Sequence, residues 1–195
     1  MVSPILFMIL TPLTPLDAVN EILAAIGEAP VDALDTGNVD VENAYRILVN
    51  TNRQIQIKGW SFNTIKEYPL MPDKFTKEIA WDSQLLKVET DDGSILRNRN
   101  GIVYDTTNNN DHFDDTRTVE AIVLVPFEEV PEVFKTYITA RAARVFSSRY
   151  LGDDSIMQTL AQEEQMAYQA VMEYEVDIEN PSMANNMEIT QAMKR

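Results

Sequence analysis

The sequence predicts an α+β fold: a mainly α-helical bundle body of about four helices, with a β-rich antiparallel insertion between helices 2 and 3. Three observations carry this. Apolar residues recur at helical spacing in four separate segments of the 195-residue chain. Between the second and third of these, the pattern changes to short β-rich runs broken by turn pairs such as Asp92-Gly93 and Asn100-Gly101. Hydrophobic residues make up 45% of the chain, which is enough to form a core and argues against wholesale disorder. The expected division is an N-terminal arm (1–13), the first half of the helical body (14–59), the β-rich insertion (60–127), the second half of the body (128–178) and a C-terminal tail (179–195).

The arm contains an apolar run from Ile5 to Leu10. No basic residue precedes it and no Ala-x-Ala site follows, as a signal peptide would require. It is also far shorter than the roughly 20 residues that span a bilayer. It is read as a packing strand or arm, or as an upstream extension of a start at Met8, and no membrane insertion is expected. Thr14-Pro15-Leu16-Asp17 then combines a capping hydroxyl, a proline at the first helical position and an acid three residues after the cap. Leu16, Val19, Leu23 and Ile26 follow at helical spacing, and Gly27 and Pro30 stop the helix. The second helix spans about Asp40 to Lys58 and packs through Val41, Ala44, Tyr45, Leu48, Asn52 and Ile55. Its polar second half, with Asn50, Asn52, Gln54 and Gln56, is either solvated or a contact surface.

Strands are expected at Phe62–Tyr68, Phe75–Trp81, Leu85–Thr90, Ile95–Arg97, Ile102–Tyr104 and Thr118–Val125, forming one small antiparallel sheet. The loop Asp105–Arg117 carries Asn108, Asn109 and Asn110, which mark an exposed tip or arm. Its aspartates, Asp105, Asp111, Asp114 and Asp115, do not match the spacing of a calcium loop. The third helix begins near Val130-Pro131-Glu132, carries the stripe Phe134, Ile138, Ala142, Val145 and Phe146, and breaks at Gly152. Asp153 or Asp154 caps a fourth helix that runs to about Asp177.

Composition excludes several chemistries. There is no cysteine and one histidine, His112, so thiolate catalysis, disulfides and Cys/His metal sites are ruled out. No phosphate-cradling glycine motif occurs, and no cofactor is expected. A net charge of -15 argues against gripping nucleic acid through its phosphates. It does not exclude a surface that nucleic acid slides past. The charge is uneven: no Lys or Arg lies between Arg149 and Lys194, an interval that contains Glu163, Glu164, Glu173 and Glu175. One-signed charge on one helix costs self-repulsion, and it gains a purpose where many copies line a ring around a polyanion. Arg46, Arg53 and Lys58 on the second helix offer the opposite sign, for pairing between neighbouring subunits.

Several blocks resemble, in order, the tail tubular protein A family, the head-to-tail adaptors of short-tailed, podovirus-type bacteriophages. They are LDAVNEILAAIGEAPV (Leu16 to Val31), NAYRILVNTNRQIQIKGWSFN (Asn43 to Asn63) with its Gly-Trp-x-Phe-Asn signature, GIVYDTTNNNDHFD (Gly101 to Asp114) and VPEVFKTYITARAARVFSSRYLG (Val130 to Gly152). Gln162-Glu163-Glu164-Gln165 and MEYEVD (Met172 to Asp177) complete the order. The resemblance covers roughly residues 14 to 178. It implies a virion protein at the head-tail junction, assembled in the host cytoplasm as a homo-oligomeric ring, a dodecamer. A portal protein lies above it and a tubular nozzle protein below, and double-stranded DNA passes through without specific binding. No catalytic residue is implied. With that frame, Glu163, Glu164, Glu173 and Glu175 are the channel-facing acidic candidates. The interface candidates are Asn108, Asn109, Asn110, Arg141, Arg144 and Arg149.

The alternative is a tail-associated polysaccharide or cell-wall hydrolase using paired carboxylates, supported only by the 31 acidic groups. Its discriminator is a pair of acids in an open cleft with a perturbed pKa. A third reading, a monomeric regulatory binding module, would show no assembly with or without a portal.

Overall fold

A computed structural model describes residues 12–179. The expected strand or arm at Ile5–Leu10 and nearly all of the expected tail lie outside the described residues. The fold is α+β, with four helices and an antiparallel β-rich insertion between the second and third. Helices α1 (Pro15–Ala24) and α2 (Val39–Gln56) come first. Strands β1 (Thr64–Leu70), β2 (Leu85–Glu89), β3 (Leu96–Arg99), β4 (Ile102–Asp105) and β5 (Arg117–Val123) follow. A short 3-10 turn, Phe127–Glu129, then leads to α3 (Glu132–Tyr150) and α4 (Asp154–Glu179). The chain separates into two compact units: one combines the chain up to Val49 with Phe127–Ala170, the other combines Asn50–Pro126 with the chain from Val171.

In the first unit the local signals act as their chemistry dictates. The Asp17 amide donates to Thr14 Oγ1 at 3.2 Å, and the Thr14 amide donates back to Asp17 Oδ2 at 3.0 Å, completing a capping box. Such a cap contributes about 1 kcal/mol. Hydrogen bonds from Thr14 hold the Asp17 carboxyl below the usual carboxylate range. The turn-rich segment after α1 is latched by Asn20, whose side chain exchanges two hydrogen bonds with the Val31 backbone, at 3.0 and 2.8 Å. α1 packs on α3, and Val19, Ile22, Phe134, Ile138 and Phe146 are fully buried. Pro131 is the N-cap of α3. α4 is capped by Asp153, which accepts from the Ser155 and Ile156 amides at 2.9 and 3.1 Å.

Three expectations are corrected. Tyr45 is 41% exposed; the buried face of α2 passes through Ile47 and Thr51 instead. Phe75–Trp81 is not a strand. The Asp73 carboxylate accepts the Phe75 and Thr76 amides at 2.8 and 3.0 Å, which folds the chain into a turn. Lys77 then takes a φ of +61, and only a bridge from Ala80 to Ile102 remains. The single expected sheet is two: three strands in the order β1-β5-β2, and the β3-β4 ribbon. The ribbon turns at Asn100-Gly101, both with positive φ as a type I′ turn demands.

In the second unit, β5 is the central strand, with Val119, Ala121 and Ile122 buried. The Gly-Trp-x-Phe-Asn segment forms the elbow that leads from α2 into β1. Gly59 adopts φ +77, and a Cβ there would lie 2.8 Å from Ile122 Cδ1. Gly59→Ala is therefore expected to destabilise the protein by about 1–3 kcal/mol, from left-handed backbone strain plus overpacking. Urea unfolding measures this; an alanine that lowers the midpoint by nothing would contradict it.

Candidate functional site

Three of the residues singled out by sequence meet on facing helices. Glu164 of α4 accepts from Arg144 of α3, and from Arg141 at 3.4 Å. The Glu164 side chain is 13% exposed, and the two arginines 35% each. Hydrogen bonding to Glu164 holds the Arg144 guanidinium above its ordinary value. An acid shielded between two cations is worth more than a surface pair. Glu175 binds within the second unit, accepting the Ser61 amide at 3.0 Å and the Ser61 hydroxyl at 2.8 Å. Glu173 is exposed, as is Arg149 in the last turn of α3.

The asparagine tip is a built turn. Asn108 donates to Asp105 Oδ2 at 2.8 Å, and the Thr107 and Asn108 amides donate to Asp105 Oδ1. Asn109 takes a φ of +51, and the Asn110 amide donates to the Asp105 carbonyl at 3.1 Å. Asp105 is thus occupied by the turn, while Asp111 pairs with His112 and Asp114 with Lys77. Among the described residues no three His, Asp or Glu side chains gather as a metal site. None of the described helices is long and apolar enough to cross a membrane.

Sequence reasoning left open the role of the polar half of α2. Asn52 and Gln56 prove to be buried, one turn apart on the packed face. Gln56 Nε2 donates to the Val125 carbonyl at 2.8 Å, and Gln56 Oε1 accepts the Val125 amide at 2.8 Å. Nε2 also donates to Asn52 Oδ1 at 2.8 Å. The signal was available in the four-residue spacing of these amides beside Leu48 and Ile55.

A groove of about 410 Å³ opens within the first unit between α1, α3 and α4. Its walls include Glu21, Ala25, Thr139, Ala140, Leu160 and Glu163. Desolvation, then the charges of Asp17 and Glu163, push the Glu21 carboxyl up. Two acids thus line one groove, the first feature to check for a hydrolase that works with paired carboxylates. The walls, however, are alanine, leucine and threonine, with no aromatic side chain on which a sugar ring would stack.

Comparison with known proteins decides the class. A family model described as tail tubular protein matches residues 16–181. Tail tubular protein A of Klebsiella phage KP34 is 29% identical over 149 residues, 76% of this chain and 79% of that protein. The molecule is therefore a structural component of a phage tail and not an enzyme. The chain belongs to the tail tubular protein A family.

Proposed function

We propose that the chain is the head-to-tail adaptor subunit of a short-tailed phage. It forms a dodecameric ring with the portal protein above and the tubular nozzle protein below, at the head-tail junction of the virion. Subunits assemble in the host cytoplasm, and double-stranded DNA crosses the ring without specific binding. The observation that carries this reading is the family match across residues 16–181. Exposed apolar side chains agree with a surface that assembly covers: Phe75 is 93% exposed, Met71 67% and Met166 61%.

The ring works by geometry and charge. An acidic wall repels the phosphates, so the genome passes without adhering. Of the four acids of α4 expected to face the channel, Glu173 is the strongest member. Glu164 and Glu175 are hydrogen-bonded within the chain, and Glu163 lines the groove. The Asn108–Asn110 tip and Arg149 remain interface candidates towards a neighbour or the nozzle.

The test is a phage carrying Glu173→Lys. Particles are expected to form normally but to eject their genome several-fold more slowly, with added salt restoring the rate because it screens the new attraction. Ejection at the parental rate in low salt would remove Glu173 from the channel wall. The mass of the assembly formed with portal tests the ring itself.

A further inference from the structure

The groove between α1, α3 and α4 and the outward face of α2 are complementary, and we infer that the α2 face of one subunit docks in the groove of the next. This rests on the ring reading above and names the contact that closes the ring. Glu21 and Glu163 put two carboxyl groups on the wall of one groove, and burial together with the charges of Asp17 and Glu163 pushes the Glu21 carboxyl up. Thr139, on the same groove, is 2% exposed, and its hydroxyl has no partner among the described residues.

The α2 face supplies what the groove lacks. Tyr45 and Val49, one turn apart, are 41% and 46% exposed, and exposed Arg46 lies between them. Tyrosine and arginine are the side chains that anchor interfaces, the first through an apolar body with a polar tip, the second through a forked cation. Arg46 uses one donor on Asn43, at 2.7 Å, and keeps others for a carboxylate. The alanines of the groove leave room for a helix ridge. Glu42, one turn earlier on α2, sets the direction of docking, because Glu21 and Glu163 repel it. Two different surfaces of one chain that fit each other make a head-to-tail contact, the kind that generates rings.

The chain has no cysteine, so engineered pairs report the contact cleanly. Full-length protein carrying both Val49→Cys and Ala140→Cys is expected to give a ladder of disulfide-linked multimers on mild oxidation, with each single variant staying uncrosslinked. Charge reversal gives the independent arm. Arg46→Glu alone, and Glu163→Lys alone, are each expected to shift the assembly to monomer mass, and the two combined to restore it. A wild-type ring that forms while the double-cysteine variant gives no ladder, and whose mass neither reversal alters, overturns this contact and leaves the ring standing. A wild type that stays monomeric with and without portal, and gives no ladder, overturns both.

Discussion

Replacing Asn63 with alanine is expected to destabilise the protein by about 3–5 kcal/mol, because several buried backbone groups depend on one side chain. Asn63 is 0% exposed. Its Oδ1 accepts the Trp60 amide at 2.9 Å, and its Nδ2 donates to the carbonyls of Gln56 at 3.0 Å and Val123 at 2.9 Å. It therefore ties the last turn of α2, the elbow and β5 together. Alanine removes all three bonds; the Gln56 carbonyl keeps the Gly59 amide at 3.1 Å, while the Trp60 amide and the Val123 carbonyl lose the partner that Asn63 supplied. Each such group costs about 1–3 kcal/mol, and the costs do not add fully because the elbow relaxes as one piece. Asn63→Asp separates the roles: it keeps the acceptor, loses the amide donor and buries a charge. Burial raises a carboxyl pKa, so the loss in Asn63→Asp grows as pH rises through that raised value and eases in acid. Urea unfolding of both variants checks this. A loss below about 1 kcal/mol for alanine would mean that other groups take over the three bonds.

The same elbow shows what the sequence makes legible and what it hides. Gly59 ending a helix before a change of texture was readable, because positive φ and a period switch are local properties. The capping box at Thr14, the turn at Asn100-Gly101 and the cap at Asp153 were readable for the same reason. The true fate of Phe75–Trp81 was not, because β-rich composition outvoted one aspartate whose carboxylate binds two amides and bends the chain. Nor was the splitting of the strands into two sheets, since partner choice among antiparallel strands is a long-range matter. Candidate functional residues were harder still. Glu164, Arg141 and Arg144 stood out by charge, but that an acid of α4 meets two arginines of α3 depends on tertiary packing across some 20 residues of chain. The groove acid Glu21 gave no signal, being one of 31 acidic groups until helix packing set it beside Glu163.

Glu132→Ala is expected to cost about 2–3 kcal/mol by stranding a buried ammonium. Lys135 is 2% exposed, on the first turns of α3. Its Nζ donates to Glu132 Oε1 at 2.7 Å, and Glu132 Oε2 accepts the Leu13 amide at 3.1 Å. Breaking a fully buried pair costs about 3–5 kcal/mol, and the Glu132 side chain is 56% exposed, so part of that is screened by water. Lys135→Met removes the ammonium and keeps an apolar stem, so it is expected to be nearly neutral. With Lys135→Met in place, Glu132→Ala should cost at least about 1 kcal/mol less than alone, a coupling that a double-mutant cycle reads directly. The pH dependence has a definite sign. The hydrogen bond from Lys135 first, then the Leu13 amide, hold the Glu132 carboxyl below the usual range. Its contribution is thus complete above the unfolded value of about 4.3 and is lost as pH falls through the lower folded value. The stability gap between wild type and Glu132→Gln should accordingly close in strong acid, where a protonated Glu132 resembles glutamine. The carboxylate also fastens the chain at Leu13, where it enters α1, to the start of α3. Loss of this tie is expected to increase proteolysis ahead of Thr14 even where Lys135→Met has restored stability. Cleavage there at the wild-type rate would show that the Leu13 bond does not hold the entry to α1.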